Sequence, residues 1–191
     1  MKTKRSKGMM GVGTLIIFIA VILVAAVAAA VLISVAGSLQ QRSLVTGGQA
    51  EEGVATGAEA VSVMAIDASD SAHALEQFEM LLRLQAGSDS MNLNNTVVVL
   101  DTSTTSQNLD FAGGIAFTTL QYGVSYVKSG PDQEPGYLSR GDVIKVSFNS
   151  TNSVAENQKV RIKVIPRVGQ ATIIEFTTPD VMTDMRITLW P

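Results

Sequence analysis

The sequence predicts an α+β protein: a long hydrophobic N-terminal α-helix followed by a C-terminal antiparallel β-sandwich of the immunoglobulin-like kind. Three observations carry this prediction. Of 191 residues, 46% are hydrophobic and 16% charged, against roughly 25% charged in an ordinary soluble domain. The excess is gathered at one end, where 34 consecutive residues from Gly8 to Gln41 carry no charge. From about Val61 onward the pattern becomes short runs of alternating apolar and polar residues bounded by Ser, Thr, Asn, Gly and Pro, the signal of half-buried strands.

The stretch Val12–Val35 is almost all Ile, Leu, Val, Ala and Phe, interrupted by Gly13, Thr14 and Ser34. About 20 such residues cross a bilayer as a helix. Lys2, Lys4, Arg5 and Lys7 precede it, and the positive-inside tendency keeps that end in the cytoplasm and exports the chain beyond Ser34. A Sec-type signal peptide fits poorly, because its apolar core runs about 7–15 residues and ends at a small-residue cleavage site. Here the best processing junction lies ahead of the apolar run, at Lys7-Gly8/Met9. A cut there removes residues 1–8 as a leader and leaves the apolar helix on the mature chain. An uncleaved signal anchor is the reading that composition alone favours.

A helix apolar on every side must be buried on every side, by lipid or by other copies of itself. Ala25, Ala26, Ala28, Ala29, Ala30, Ala36 and Gly37 suit the second state, since small residues let helix backbones approach. Leu15, Phe18, Ile22, Ala26, Ala29 and Ile33 are the candidate packing positions of such a core. A helix from Val12 to Thr46 would be about 50 Å long, more than the hydrocarbon thickness. Gly47, Gly48, Gly53 and Gly57 each weaken helix by about 1 kcal/mol relative to alanine. Residues 47–57 are therefore expected to be a hinge or frayed linker, with helix resuming through Glu51–Ala60, so that residues 9–60 form stalk and hinge and residues 61–191 the head.

In the head, Val61, Val63 and Ala65 alternate with Ser62 and Met64, and Phe78, Met80, Leu82 and Leu84 with Glu79, Leu81 and Arg83. Ile144, Val146 and Phe148 alternate with Lys145 and Ser147, Val160, Ile162 and Val164 with Arg161 and Lys163, and Met185, Ile187 and Leu189 with Arg186 and Thr188. Turns are expected at Ala86–Asp89, Ser129–Asp132, Ser139–Asp142 and Val168–Gly169. Ser71–Gln77 is read as strand rather than a turn of helix. About seven or eight strands in such a length fit a β-sandwich.

Catalytic equipment is sparse. With no cysteine and one histidine, disulfide scaffolds, Cys-ligated metals, thiol nucleophiles and multi-histidine sites are excluded. Ser69-Asp70-Ser71-Ala72-His73 has triad composition, but triads are assembled across a fold rather than along a short peptide. Gly11-Val12-Gly13 lacks the preceding strand of a dinucleotide loop. Arg140-Gly141-Asp142 spells an integrin tripeptide, which a turn entering a strand at Val143 explains equally well. Asp67 and Asp70, or Asp101 and Asp110, offer oxygens of the kind calcium takes. Without EF-hand spacing, solvated turn carboxylates are the plainer reading, and no other cofactor is implied. Asn94-Asn95-Thr96 and Asn149-Ser150-Thr151 are N-glycosylation sequons.

Lys7-Gly8 followed by Met9-Met10-Gly11-Val12-Gly13-Thr14-Leu15-Ile16-Ile17-Phe18 and on through Ala29 resembles the archaeal flagellins (archaellins) of the type IV pilin superfamily. The resemblance implies cleavage after Gly8 by a prepilin-peptidase-like enzyme, with Lys7, Gly8 and Gly11 recognised and Met9 the first mature residue. Bacterial type IV pilins usually carry glutamate at the fifth mature position; Gly13 stands there, as in archaellins. It further implies a structural subunit of the extracellular motility filament, with the helix as filament core and the head as outer surface. The implied partners are copies of the chain or paralogous archaellins, the leader peptidase, an assembly ATPase and a membrane platform. The implied precursor sits in the cytoplasmic membrane, the head is commonly glycosylated, and some heads bind metal. An adhesive type IV pilin and a membrane-anchored β-sandwich binding protein are the alternative readings, and an enzyme is not expected. Loss of the leader would leave 10 basic residues against 17 acidic ones and move the formal net charge from −3 to −7. That balance suits a soluble outer shell and argues against nucleic-acid binding.

Overall fold

A computed structural model describes residues 3–68 and 74–191, with side chains from Met10 onward. The chain divides into two compact units, Met1–Gly48 and Gln49–Pro191.

The apolar run forms one α-helix, α1, over Thr3–Ala55, about 80 Å long at 1.5 Å per residue. The break expected at residues 47–57 is not present: Gly47, Gly48 and Gly53 all lie inside the helix. Gln49, Ala50, Glu51, Glu52 and Ala55 around them are good helix formers and add little to the glycines' cost of about 1 kcal/mol each. What ends the helix is the fixation of the next two residues. Thr56 and Gly57 are buried. Thr56 O accepts the Gln170 N–H at 2.8 Å, and Gly57 O accepts the Gln85 N–H at 3.0 Å. The Gly57 N–H donates to Ser88 Oγ at 3.0 Å. A Cβ on Gly57 would lie 2.8 Å from Gln85 Oε1, so a larger residue there would displace the end of the Gln85 side chain. The first strand consequently starts at Ala58, three residues before the expected Val61.

The second unit contains β1 (Ala58–Ala65), β2 (Leu75–Leu84), β3 (Met91–Asn92), β4 (Thr96–Asp101), β5 (Ser106–Phe111), β6 (Gln121–Lys128), β7 (Tyr137–Leu138), β8 (Val143–Val154), β9 (Lys159–Pro166), β10 (Thr172–Thr177) and β11 (Ile187–Trp190). Nine of these form one sheet in the order β10-β9-β4-β5-β6-β8-β2-β1-β11, and β3 pairs with β7. Pairing is antiparallel except where β5 meets β6, through Asp110↔Gln121 and Phe111↔Tyr122. Residues 112–120 cross over between those two strands instead of turning back as a hairpin.

Both halves of the sheet bury alternate residues into one core. Val98, Leu100, Leu109, Val160, Ile162, Val164 and Ile174 come from one side, and Val63, Phe78, Met80, Leu82, Ile144, Val146 and Phe148 from the other. The Phe78 and Phe148 rings stack at 5.8 Å. Each fully buried aliphatic or Phe side chain contributes roughly 1.5–3 kcal/mol of burial, which gives the head a core of its own. The alternation expected for β8 and β9 is observed residue by residue; in β2, Phe78, Met80 and Leu82 are buried as expected, but Glu79 between them is buried too and Leu84 is only half-buried.

Two positions differ. Val61 is exposed, because the pairing of β1 with β2 slips between Ala60 and Ser62, and the extra residue of such a bulge is left unpaired. Met185 is also exposed; β11 begins only at Ile187, and in this segment it is Met182 that is buried in the core. The strands that exceed the expected seven or eight include β3 and β7, two residues each.

Candidate assembly surface

The feature that a monomer leaves unburied is α1. From Met10 to Gly48 every residue is exposed. Leu15, Phe18, Ile22 and Ile33 show between 50% and 73% of their surface, and Ala26 and Ala29 are exposed beside them. These six fall at spacings of three and four and so share one face of the helix, but the other faces are equally apolar. A Cβ added to Gly11, Gly13 or Gly37 would meet nothing within 4 Å, so nothing within the chain requires those glycines to be small. Thr14, the hydroxyl residue near the start of the run, donates Oγ1–H to Gly11 O at 2.9 Å. That satisfies the hydroxyl inside the helix, so the position can sit in an apolar medium without an unpaired donor. Lys7, Gly8 and Met9 lie in the helical backbone of α1, and their side chains are outside the described residues.

In the head, the two sequons differ. Asn94 is exposed in a 3-10 turn over Leu93–Asn95, its backbone N–H held by Asn92 Oδ1 at 2.9 Å. Asn149 sits in the interior of β8 and is half-buried. Gln107 brackets it, donating Nε2–H to Asn149 O and accepting the Thr151 N–H at Oε1, both at 2.7 Å. Asn149 Oδ1 itself is buried without a partner among the described residues.

The carboxylates read as possible cation ligands mostly have other roles. Asp67 Oδ2 accepts the backbone N–H groups of Glu76 and Gln77 at 2.8 and 2.9 Å, holding the start of β2. Asp70 and His73 lie outside the described residues. Among the described residues no three His, Cys, Asp or Glu side chains gather as a metal site. Asp101 faces Lys163 Nζ at 2.6 Å and is also bonded by the Ser106 hydroxyl; those two bonds hold its carboxyl below the ordinary value. The Arg140-Gly141-Asp142 tripeptide is structural: Asp142 is 1% exposed. Its carboxylate accepts the Gly130 N–H at 2.6 Å and the Ser139 N–H at 2.9 Å.

Comparison with known proteins decides between the alternatives. The family model for archaeal-type flagellin matches residues 8–176. The chain belongs to the archaeal-type flagellin family. Flagellin B2 of Methanocaldococcus jannaschii is 31% identical over 200 residues, covering 92% of this chain and 91% of that protein. Flagellin B1 of Methanococcus voltae is 31% identical over 202 residues, covering 93% and 92%. Among solved structures, the archaeal flagellum of Methanospirillum hungatei superposes with TM-score 0.73 at 17% identity over 95% of this chain and 99% of that one. A crystal structure of a flagellin of Methanocaldococcus jannaschii superposes with TM-score 0.63 at 19% identity over 71% and 98%. These similarities place the long apolar helix and the mostly antiparallel head in one known fold.

Within this flagellin fold, several ties were not visible from sequence pattern. Glu79 is on the outer face of β2 yet nearly buried, between Lys145 and Arg186. Tyr122 sends its hydroxyl toward Leu93 O and Thr96 O, 3.0 Å from each, and burial pushes its ionisation well above the ordinary tyrosine range. The only hint of either was a charged or aromatic residue standing inside an alternating run. No arrangement of nucleophile, base and oxyanion donors accompanies them among the described residues. In the cleft lined by Asp101, Lys159, Arg161 and Glu175, Asp101 is paired with Lys163 and Arg161 with Glu175.

Proposed function

We propose that the chain is the structural subunit of an archaeal flagellum filament, assembling through α1 for swimming motility. The observation that carries this reading is a helix apolar on all sides over Val12–Val35 and exposed throughout Met10–Gly48, in a chain whose head has a core of its own. Identical helices provide the burial that a single chain lacks, and their small residues permit close approach. The heads, rich in acidic residues, form the outer wall.

The precursor waits in the cytoplasmic membrane with Lys2, Lys4, Arg5 and Lys7 inside. A prepilin-peptidase-like enzyme cuts between Gly8 and Met9, recognising Lys7, Gly8 and Gly11. Cleavage removes the charges that pin the helix end to the cytoplasmic face. An assembly ATPase and a membrane platform then move the helix from lipid into the filament, and the platform supplies rotation. N-glycan is carried on Asn94, which is exposed, in preference to Asn149, whose backbone is bracketed by Gln107.

The test is Gly8→Glu expressed as the sole flagellin. It should accumulate full-length precursor in the membrane with no surface filaments and no swimming. Normal mature subunit in filaments of that strain would sink the mechanism. Loss of attachment with swimming retained, on deleting the gene, would point to an adhesive pilin instead.

A further inference from the structure

The head holds a second uncovered apolar feature. Between Asp110 and Lys128 lie 17 uncharged residues, Phe111–Val127, the longest uncharged run after Arg42. Its first part is the crossover between β5 and β6, where Ile115 is 72% and Leu120 66% exposed, with Phe117 half-buried between them.

This loop has a fixed shape. Gly114 O accepts the Val124 N–H at 2.7 Å, Leu120 O the Asp110 N–H at 3.1 Å, and Tyr122 O the Ala112 N–H at 3.0 Å. Thr118 and Gln121 bond each other in both directions, at 3.2 and 3.3 Å. The loop lies directly on β6 at Gly123, where a Cβ would come within 2.3 Å of Ile115 O. Ile115 and Leu120 are thus presented to water by a braced backbone, which needs little ordering on contact. Exposed apolar residues close together mark a contact site; the head's other strongly exposed ones stand beside charges, Val181 next to Asp180, Met185 between Asp184 and Arg186, Val127 next to Lys128 and Ile173 opposite Lys163.

We propose that the loop Gly114–Leu120 is a head-to-head contact, covered in the filament by a second copy of this chain. The charge pattern selects that occupant. In Gln49–Pro191 nine Lys and Arg stand against 17 Asp and Glu, so two heads repel each other on balance, and like-charge juxtaposition is costly. The uncharged run is the place where two identical acidic surfaces approach without it. A helical filament uses heterologous contacts, so the loop meets a different part of the neighbouring head rather than its own equivalent. The inference rests on the filament reading above.

The test is hydroxyl-radical footprinting of unsubstituted filaments sheared from cells, compared with the same filaments dissociated. Oxidation of Ile115, Phe117 and Leu120 should be at least about fivefold slower in the filament, as for side chains in an interface core. Because the chain has no cysteine, Ile115→Cys labelled with a benzophenone maleimide gives a second readout, and irradiated filaments should yield cross-linked dimers. Intact filaments with equal oxidation and no dimers would overturn this inference alone, leaving the loop turned outward. Failure of the unsubstituted chain to form filaments would overturn both readings.

Discussion

Glu79 and Arg186 meet across the outer face of the sheet, Oε2 to Nη2 at 2.9 Å, although 107 residues separate them. Lys145 Nζ takes the other oxygen at 2.9 Å. The carboxylate is nearly buried while Arg186 is largely exposed, so the two partners contribute unequally. Arg186 lies just ahead of β11, and the Met185 carbonyl beside it accepts the Ala68 N–H at 3.3 Å. Glu79 therefore ties the C-terminal segment to β2 and β8. Replacing Glu79 by Ala should destabilise the head by about 1–3 kcal/mol, since two charge-assisted bonds are lost. Arg186→Ala should cost less than about 1 kcal/mol. Urea denaturation of residues 49–191 separates the two, and equal losses would contradict this division of roles.

Lys163 and Ser106 hold the Asp101 carboxyl below its ordinary value of 3.8. A carboxylate whose folded value is depressed contributes stability that is complete above the unfolded value and is lost as pH falls through the folded one. Lys163→Met should therefore weaken the head slightly near neutrality, by less than about 1 kcal/mol for a partly exposed pair. As pH falls below 3.8 and through the depressed folded value, its stability should converge on that of the unsubstituted head. Denaturation midpoints measured across that range check the sign.

Gly130 and Gly87 should respond differently to alanine. At Gly130 a Cβ would lie 2.2 Å from Arg140 O, and the Gly130 N–H is one of the two donors that hold buried Asp142. Gly130→Ala should cost more than about 3 kcal/mol, because backbone must move and a buried network breaks. Gly87 has φ +85° and open space around it, so Gly87→Ala should cost only about 1 kcal/mol, the penalty of a left-handed conformation. Thermal melts of the two variants give the ranking directly.

The sequons make a prediction in mass. Asn94→Gln should remove glycan mass from the mature subunit, and Asn149→Gln should leave the mass unchanged apart from the substitution. Mass spectrometry of filament protein decides it, and the reverse pattern would contradict the accessibility reading drawn from Asn94 and Asn149.

How much of the fold was legible in the sequence depends on which forces act locally. The apolar run from Gly8 to Gln41 and the period-two alternation in β8 and β9 are local patterns, and the structure reproduces them. The end of α1 was misplaced because its cause is not local. Gly47 and Gly48 looked like a break, but the helix runs on until Thr56 and Gly57 are captured by Gln170, Gln85 and Ser88. The bulge at Val61 and the burial of Glu79 likewise depend on β2, β8 and the C-terminal segment arriving in space. Short strands such as β3 and β7 carry too few residues for any periodicity. The long apolar helix was legible for the opposite reason: a run apolar on every face is a composition signal before it is a structural one.

The central claim is that this flagellin-family chain builds a filament through a helix freed at Met9. Electron microscopy of surface filaments sheared from cells, with N-terminal sequencing of their subunit, tests it most directly. The account predicts filaments made of this chain whose first residue is Met9. A subunit that keeps Met1 and its basic leader, or a chain found only in the membrane with no filament, would contradict it.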